Sequence, residues 1–92
     1  MHILRIEHPV PNFDAWKEAF DSDPIGRERS GVRRYRVLRA TDDPNYVMID
    51  LEFDSAREAE AVHAALRELW GRVDVVHSPQ ARIAEAVEVK EY

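Results

Sequence analysis

The chain has 92 residues, 13 Lys and Arg against 18 Asp and Glu for a formal net charge of −5, and no cysteine. Such a length holds a single core that hides only about 60–65 % of the unfolded surface, so a second copy would add stability. The acidic balance argues against nucleic acid or an anionic membrane as main partner, and the missing cysteines remove disulfides, thiolate metal sites and a thiol nucleophile together.

The segment HILRIEH alternates as a first strand, with His2, Leu4, Ile6 and His8 on one face and Ile3, Arg5 and Glu7 on the other. Pro9 and Pro11 end it, because proline cannot donate to a ladder. In NFDAWKEAF, Asn12 is the expected N-cap and Asp14 lies in the first turn, where the helix dipole favours a negative charge. Phe13, Trp16 and Phe20 share one helical face. Asp23-Pro24 breaks the helix. PIGRERSG is read as a short extra turn with Gly31 as its exit.

VRRYRVLRA, residues 32–40, reads as a second strand with Tyr35 and Val37 on one side and Val32, Arg34, Arg36 and Leu38 on the other. TDDPN is a turn. YVMIDLEFDS then supplies a third strand, its apolar row Val47, Ile49, Leu51 and Phe53 backed by Met48, Asp50 and Glu52. In DSAREAEAVHAALRELWG, Ser55 and Glu58 have capping-box spacing. Ala59, Val62, Leu66, Leu69 and Trp70 line one face of this helix, and Gly71 closes it. RVDVVHSPQ is a loop or a short strand. ARIAEAVEVKEY is a last strand with Ile83, Val87 and Val89 on one face.

The order β-α-β-β-α-β predicts an α+β, ferredoxin-like domain over residues 1–92, with two helices on one face of a four-stranded antiparallel sheet. The first and third strands are then central neighbours. Their outer face, with the second strand's, gathers Arg5, Glu7, Arg34, Arg36, Asp50 and Glu52, and opposite charges on adjacent strands are expected to pair, at about 0.2–1 kcal/mol for each exposed pair. RNA-recognition modules share the strand order, but they stack bases on aromatics where this chain has charges.

The run PVPNFDAWKEAFDSDP, then SGVRRYRVLRATDDPNYVMIDLEFDSAREAEAV, then PQARIAEAVE resembles the dimeric α+β barrel superfamily, in its antibiotic-biosynthesis-monooxygenase-like branch. The likeness is of layout, over nearly the whole chain. It implies a homodimer whose two sheets pack face to face, with the six charged residues named above at the interface. Some relatives are cofactor-independent oxygenases of aromatic polyketides. Others degrade haem with an asparagine on the first strand, a tryptophan late in the second helix and a histidine beyond it. Trp70 and His77 match the last two, whereas Glu7 and His8 stand where the asparagine belongs.

Trp16 and Trp70 are read as core anchors or, in the sharper reading, as walls of a cavity between helices and sheet, joined by Tyr35, His63 and His77. His2 and His8 lie about 20 Å apart on an extended strand, too far to share a metal. No metal or cofactor is expected. Arg27, Arg29, Arg33, Arg34, Arg36 and Arg39 form the one basic cluster, suited to a ligand's acidic group or to guarding a sheet edge.

No apolar run approaches the roughly 20 residues of a membrane span, and MHILRIEHPV lacks the build of a secretion signal. A cytoplasmic homodimer binding a small aromatic or apolar ligand is the expectation. Cofactor-independent monooxygenation and a non-catalytic dimerisation module are the alternatives.

Overall fold

The computed structural model describes residues 1–72 and 79–92. The elements are β1 (His2–Pro9), α1 (Phe13–Asp21), β2 (Arg34–Ala40), β3 (Asp43–Phe53), α2 (Ala56–Trp70) and β4 (Gln80–Glu85). The strands form one antiparallel sheet in the order β2-β3-β1-β4. This is the ferredoxin-like arrangement.

The alternating rows meet in register. Leu4 faces Leu51, Ile6 faces Ile49 and His8 faces Val47 across the central pair. All six are buried. Trp16 from α1, with Ala59 and Val62 from α2, covers this row and completes the core. Burying such apolar surface contributes about 25 cal/mol per Å², the main force holding helices to sheet.

Both helix starts follow their capping residues. Asn12 Oδ1 accepts from Ala15 N at 2.9 Å. Ser55 Oγ accepts from Glu58 N at 3.3 Å and lies 3.1 Å from Glu58 Oε1. Asn45 adds a second tie: its Oδ1 accepts from Phe13 N at 3.0 Å and its carbonyl from Val10 N at 2.7 Å. At Gly31, φ is +101°, and Val32 N reaches back to the Arg27 carbonyl at 3.0 Å, closing the turn that starts at Arg27.

Three boundaries differ from expectation. Val32 precedes β2 and is buried in the core instead of sharing a face with Arg34. The third strand begins at Asp43, through Pro44 and Asn45, with a register shift between Arg39 and Ala40 that absorbs the proline. The last strand ends at Glu85, so Val87 and Val89 are exposed. β4 lies at the sheet edge and loses its partner where β1 begins, at His2 opposite Glu85. The ambiguous 73–78 part of RVDVVHSPQ lies outside the described residues.

Candidate functional site

The helix-facing side of the sheet holds a cavity of about 260 Å³. Its floor is Ile6, His8, Ile49 and Leu51, and its walls include Trp16, Phe20, Leu66 and Trp70. The position follows from the two periodicities. Even-numbered residues of β1 and odd-numbered residues of β3 point up at the helices, and the i, i+4 pairs Trp16/Phe20 and Leu66/Trp70 point down.

An aromatic chain builds one wall. Trp16 and Phe20 stack at 5.1 Å between centroids, and Phe20 meets Tyr35 edge-on at 5.2 Å. Arg27 completes this wall from the 22–33 connection. Its guanidinium lies 3.9 Å from the Phe20 centroid and 4.9 Å from that of Tyr35. Arg27 Nη1 donates to the Phe20 carbonyl at 2.8 Å and lies 3.6 Å from Asp23 Oδ1. Stacking on rings and a carbonyl acceptor is a use of guanidinium that lysine cannot copy.

His8 is the buried ring at the cavity floor, 2 % exposed and edge-on to Trp16 at 6.2 Å. Its Nδ1 lies 3.1 Å from the Pro9 carbonyl. A carbonyl only accepts, so this contact places a proton on Nδ1.

Trp16 and Trp70 both line the cavity. Tyr35 stands behind Phe20 and is 44 % exposed, and His63 lies behind Trp70, edge-on at 6.5 Å. Burial and the nearby Arg67 hold the His63 pKa below its ordinary value. His77 lies outside the described residues. From sequence, His8 was weighed only against a metal and the haem-degraders' asparagine, and Arg27 only as one of the basic cluster; neither was placed on the cavity. The signal for His8 was its place in the even row of β1. Arg27 had none, because the connection carrying it has no periodicity.

The opposite face carries the ion network. Arg5 grips Asp50 with two bonds, Nε to Oδ1 at 2.9 Å and Nη2 to Oδ2 at 3.0 Å, while Arg36 Nη2 donates to Oδ2 at 2.9 Å. Arg34 Nε donates to Glu52 Oε2 at 2.8 Å, and the Tyr46 hydroxyl donates to Glu7 Oε1 at 2.7 Å. The Asp50 side chain is only 3 % exposed, beneath arginines that are about 60 % exposed. Burial by itself raises the Asp50 pKa, but the bonds from Arg5 and Arg36 outweigh it and hold the carboxyl below its usual range. Arg5 and Arg34 are raised in turn, chiefly by their bonds to Asp50 and Glu52. Arg82, opposite Arg5 on β4, adds a fourth arginine.

The six-arginine run is not one patch. Arg34 and Arg36 pair on this face, and Arg33 Nη2 is 2.7 Å from Asp54. Arg39 lies over the Phe13 ring at 4.5 Å, and Arg27 belongs to the cavity wall.

No family model matches the chain, and no curated protein matches it. Solved structures do. SnoaB, a cofactor-independent oxygenase from Streptomyces nogalater, superposes with a TM-score of 0.75 at 15 % identity, covering 96 % of this chain and 94 % of that one. An antibiotic biosynthesis monooxygenase matches with a TM-score of 0.64 at 16 % identity over 96 % and 100 % of the two chains. A dimeric ferredoxin-like protein from an uncultured marine organism matches with a TM-score of 0.67 at 14 % identity over 99 % and 97 %. The chain therefore has the fold of the antibiotic-biosynthesis-monooxygenase-like proteins, and the likeness is one of fold.

Proposed function

We propose that the protein is a homodimer that binds a small aromatic or apolar ligand in the cavity between its helices and its sheet. The observation that carries this reading is the cavity itself. About 260 Å³ of space walled by Trp16, Phe20, Leu66 and Trp70 is an apolar cleft, partly open to the surface, of the kind that takes a small ligand. It falls just below the ~300–1,000 Å³ of drug-sized sites, so the occupant is a compact ring system stacking on the tryptophans. Trp16 and Trp70 make direct contact with it. Tyr35 and His63 act behind them.

The dimer part of the reading is supported by the dimeric neighbour and by the charged face. Arg5, Glu7, Arg34, Arg36, Asp50 and Glu52 form its interface, sheet against sheet. The reversal Asp50→Arg is expected to give monomers in sedimentation runs at low micromolar concentration. A variant that stays dimeric removes this face as the interface.

The ligand is tested by following tryptophan fluorescence during titration with small phenols of one to three rings. Saturable quenching by at least one of them is expected. A flat response across the set, with the cavity confirmed empty by experiment, overturns the reading.

A second reading, cofactor-independent oxygenation, is favoured by His8. His8 lines the cavity floor beside Trp16, and loss of a proton from a phenol bound there would give the electron-rich anion that reacts with O₂. Oxygen uptake with the tightest-binding phenol, lost in His8→Ala while binding persists, supports it. No uptake by the wild-type protein rules it out for that ligand.

A further inference from the structure

β4 places Arg82 directly opposite Arg5 of β1, both on the charged face of the sheet. Directly opposed residues stand about 4.5–5.5 Å apart at Cβ, where like charges destabilise a strand pair. Arg82 is exposed, and its own chain offers no relief. The arginine ion pairs among the described residues use Arg5, Arg27, Arg33, Arg34 and Arg36, and none uses Arg82.

The carboxylate that serves Arg5 has nothing left for Arg82. Asp50 already accepts three bonds, two from Arg5 and one from Arg36. The two from Arg5 leave through Nε and Nη2, so Nη1 keeps both of its hydrogens. Arg34 takes Glu52, and Glu7 accepts from the Tyr46 hydroxyl. Among the described residues, Arg5, Arg34, Arg36 and Arg82 thus meet only Glu7, Asp50 and Glu52 on this face. One positive charge is in surplus.

The surplus faces a recess. Arg5, Glu7, Gln80, Ala81 and Arg82 line about 200 Å³ on this side of the sheet. Its chemistry is the reverse of the cavity under the helices, with guanidinium, amide and carboxylate groups in place of rings and leucines.

We propose that this recess is an anion site in which a phosphate group bridges Arg5 and Arg82, with the Gln80 amide as a further donor. A guanidinium presents paired N–H donors at the spacing of two phosphate oxygens, and two guanidinium groups facing each other hold the group from both sides. The anion turns the opposed arginines from a repulsive contact into an attractive one. Glu7 faces Gln80 across the same recess, and its charge limits how tightly the anion is held. The site is complete within one copy and is separate from the aromatic cavity, which lies on the other side of the sheet.

Inorganic phosphate would be titrated calorimetrically into the dialysed protein in Tris chloride, with sodium chloride at the same ionic strength as control. Saturable binding of one phosphate per chain is expected, with no binding signal from the control. Arg82→Gln keeps a polar side chain at an exposed position, and affinity is expected to fall about tenfold or more. Glu7→Gln removes the opposing charge while leaving an acceptor for Tyr46, and affinity is expected to rise about threefold or more. A role for Arg82 in folding alone does not move the two variants in opposite directions. Since the proposed dimer covers this face, phosphate released from the purified protein on acid unfolding is assayed as well. No uptake together with no release overturns the site, and so does binding that both variants leave unchanged. Phenyl phosphate separates the sources of the group: tighter binding than inorganic phosphate assigns it to an ester and weaker binding to the free ion, and each supports the site. Phosphate binding by a protein that no phenol quenches keeps this site and removes the cavity reading, so the two fail separately.

Discussion

Arg27 lies over Phe20 at 3.9 Å and also donates to the carbonyl of that same residue at 2.8 Å. One side chain thus fixes both the ring and the backbone at the end of α1, and the connection to β2 is folded down onto the cavity instead of out into water. Replacing Arg27 with Ala removes a charged hydrogen bond and two ring contacts. A loss of about 1–3 kcal/mol in urea unfolding is expected. Arg27→Lys is expected to recover less than half of it, because an ammonium cannot lie flat on the ring.

Filling the cavity separates ligand binding from folding. Leu66→Phe places a larger side chain into space that is already open. Phenol affinity is expected to fall more than tenfold while the thermal midpoint stays within a few degrees of wild type. If affinity is unchanged, the cavity is not where the phenol sits.

Asp50 sets an acid limb in the stability profile. Its folded pKa lies below the ordinary value, so its contribution is present above about pH 4 and is lost as pH falls through the depressed folded value. Asp50→Asn is expected to cost about 1–3 kcal/mol at pH 7. The gap from wild type should narrow as pH falls below about 4 and close once pH has passed through the depressed folded value, where both chains carry a neutral group. Denaturant titrations at pH 7, 5 and 3 check this, and a gap that does not narrow removes Asp50 as its source.

Gly31 has two reasons to be glycine. Its φ of +101° is strained for any L side chain, and a Cβ there would come within 2.5 Å of Glu58 Oε2. Glu58 is itself engaged with Ser55 at the start of α2. Gly31→Ala is expected to destabilise by about 1–3 kcal/mol. Gly71, whose φ of −71° is ordinary for any residue, should tolerate alanine within about 0.5 kcal/mol.

Element order and both N-caps were legible because each is a local signal. Asn12 and Ser55 sit one residue ahead of their helices, and Val47 to Phe53 alternate without a break. The ion network was legible too, since knowing that β1 and β3 are neighbours places Arg5 beside Asp50. The end of β4 was not. Val87 and Val89 continue the alternation past the point where β1 stops offering a partner, and pairing length is a property of two strands together. Trp16 and Trp70 were found as apolar residues on helix faces, but a gap between them depends on how distant side chains fill space, which no period encodes. His8 was read as an ordinary histidine although its row under the helices was recognised. Arg27 was counted with five other arginines, four of which (Arg33, Arg34, Arg36 and Arg39) have partners elsewhere in the fold.

Asn45 binds Val10 through its carbonyl and Phe13 through its side chain, 35 and 32 positions away. The first turn of α1 is therefore completed by a residue that arrives only when the β2–β3 hairpin has docked on β1. Nine residues make a helix too short to persist alone. The expected consequence for folding kinetics is that substitutions in α1 chiefly speed unfolding and leave the folding rate nearly unchanged, which stopped-flow measurements on Ala19→Gly would check.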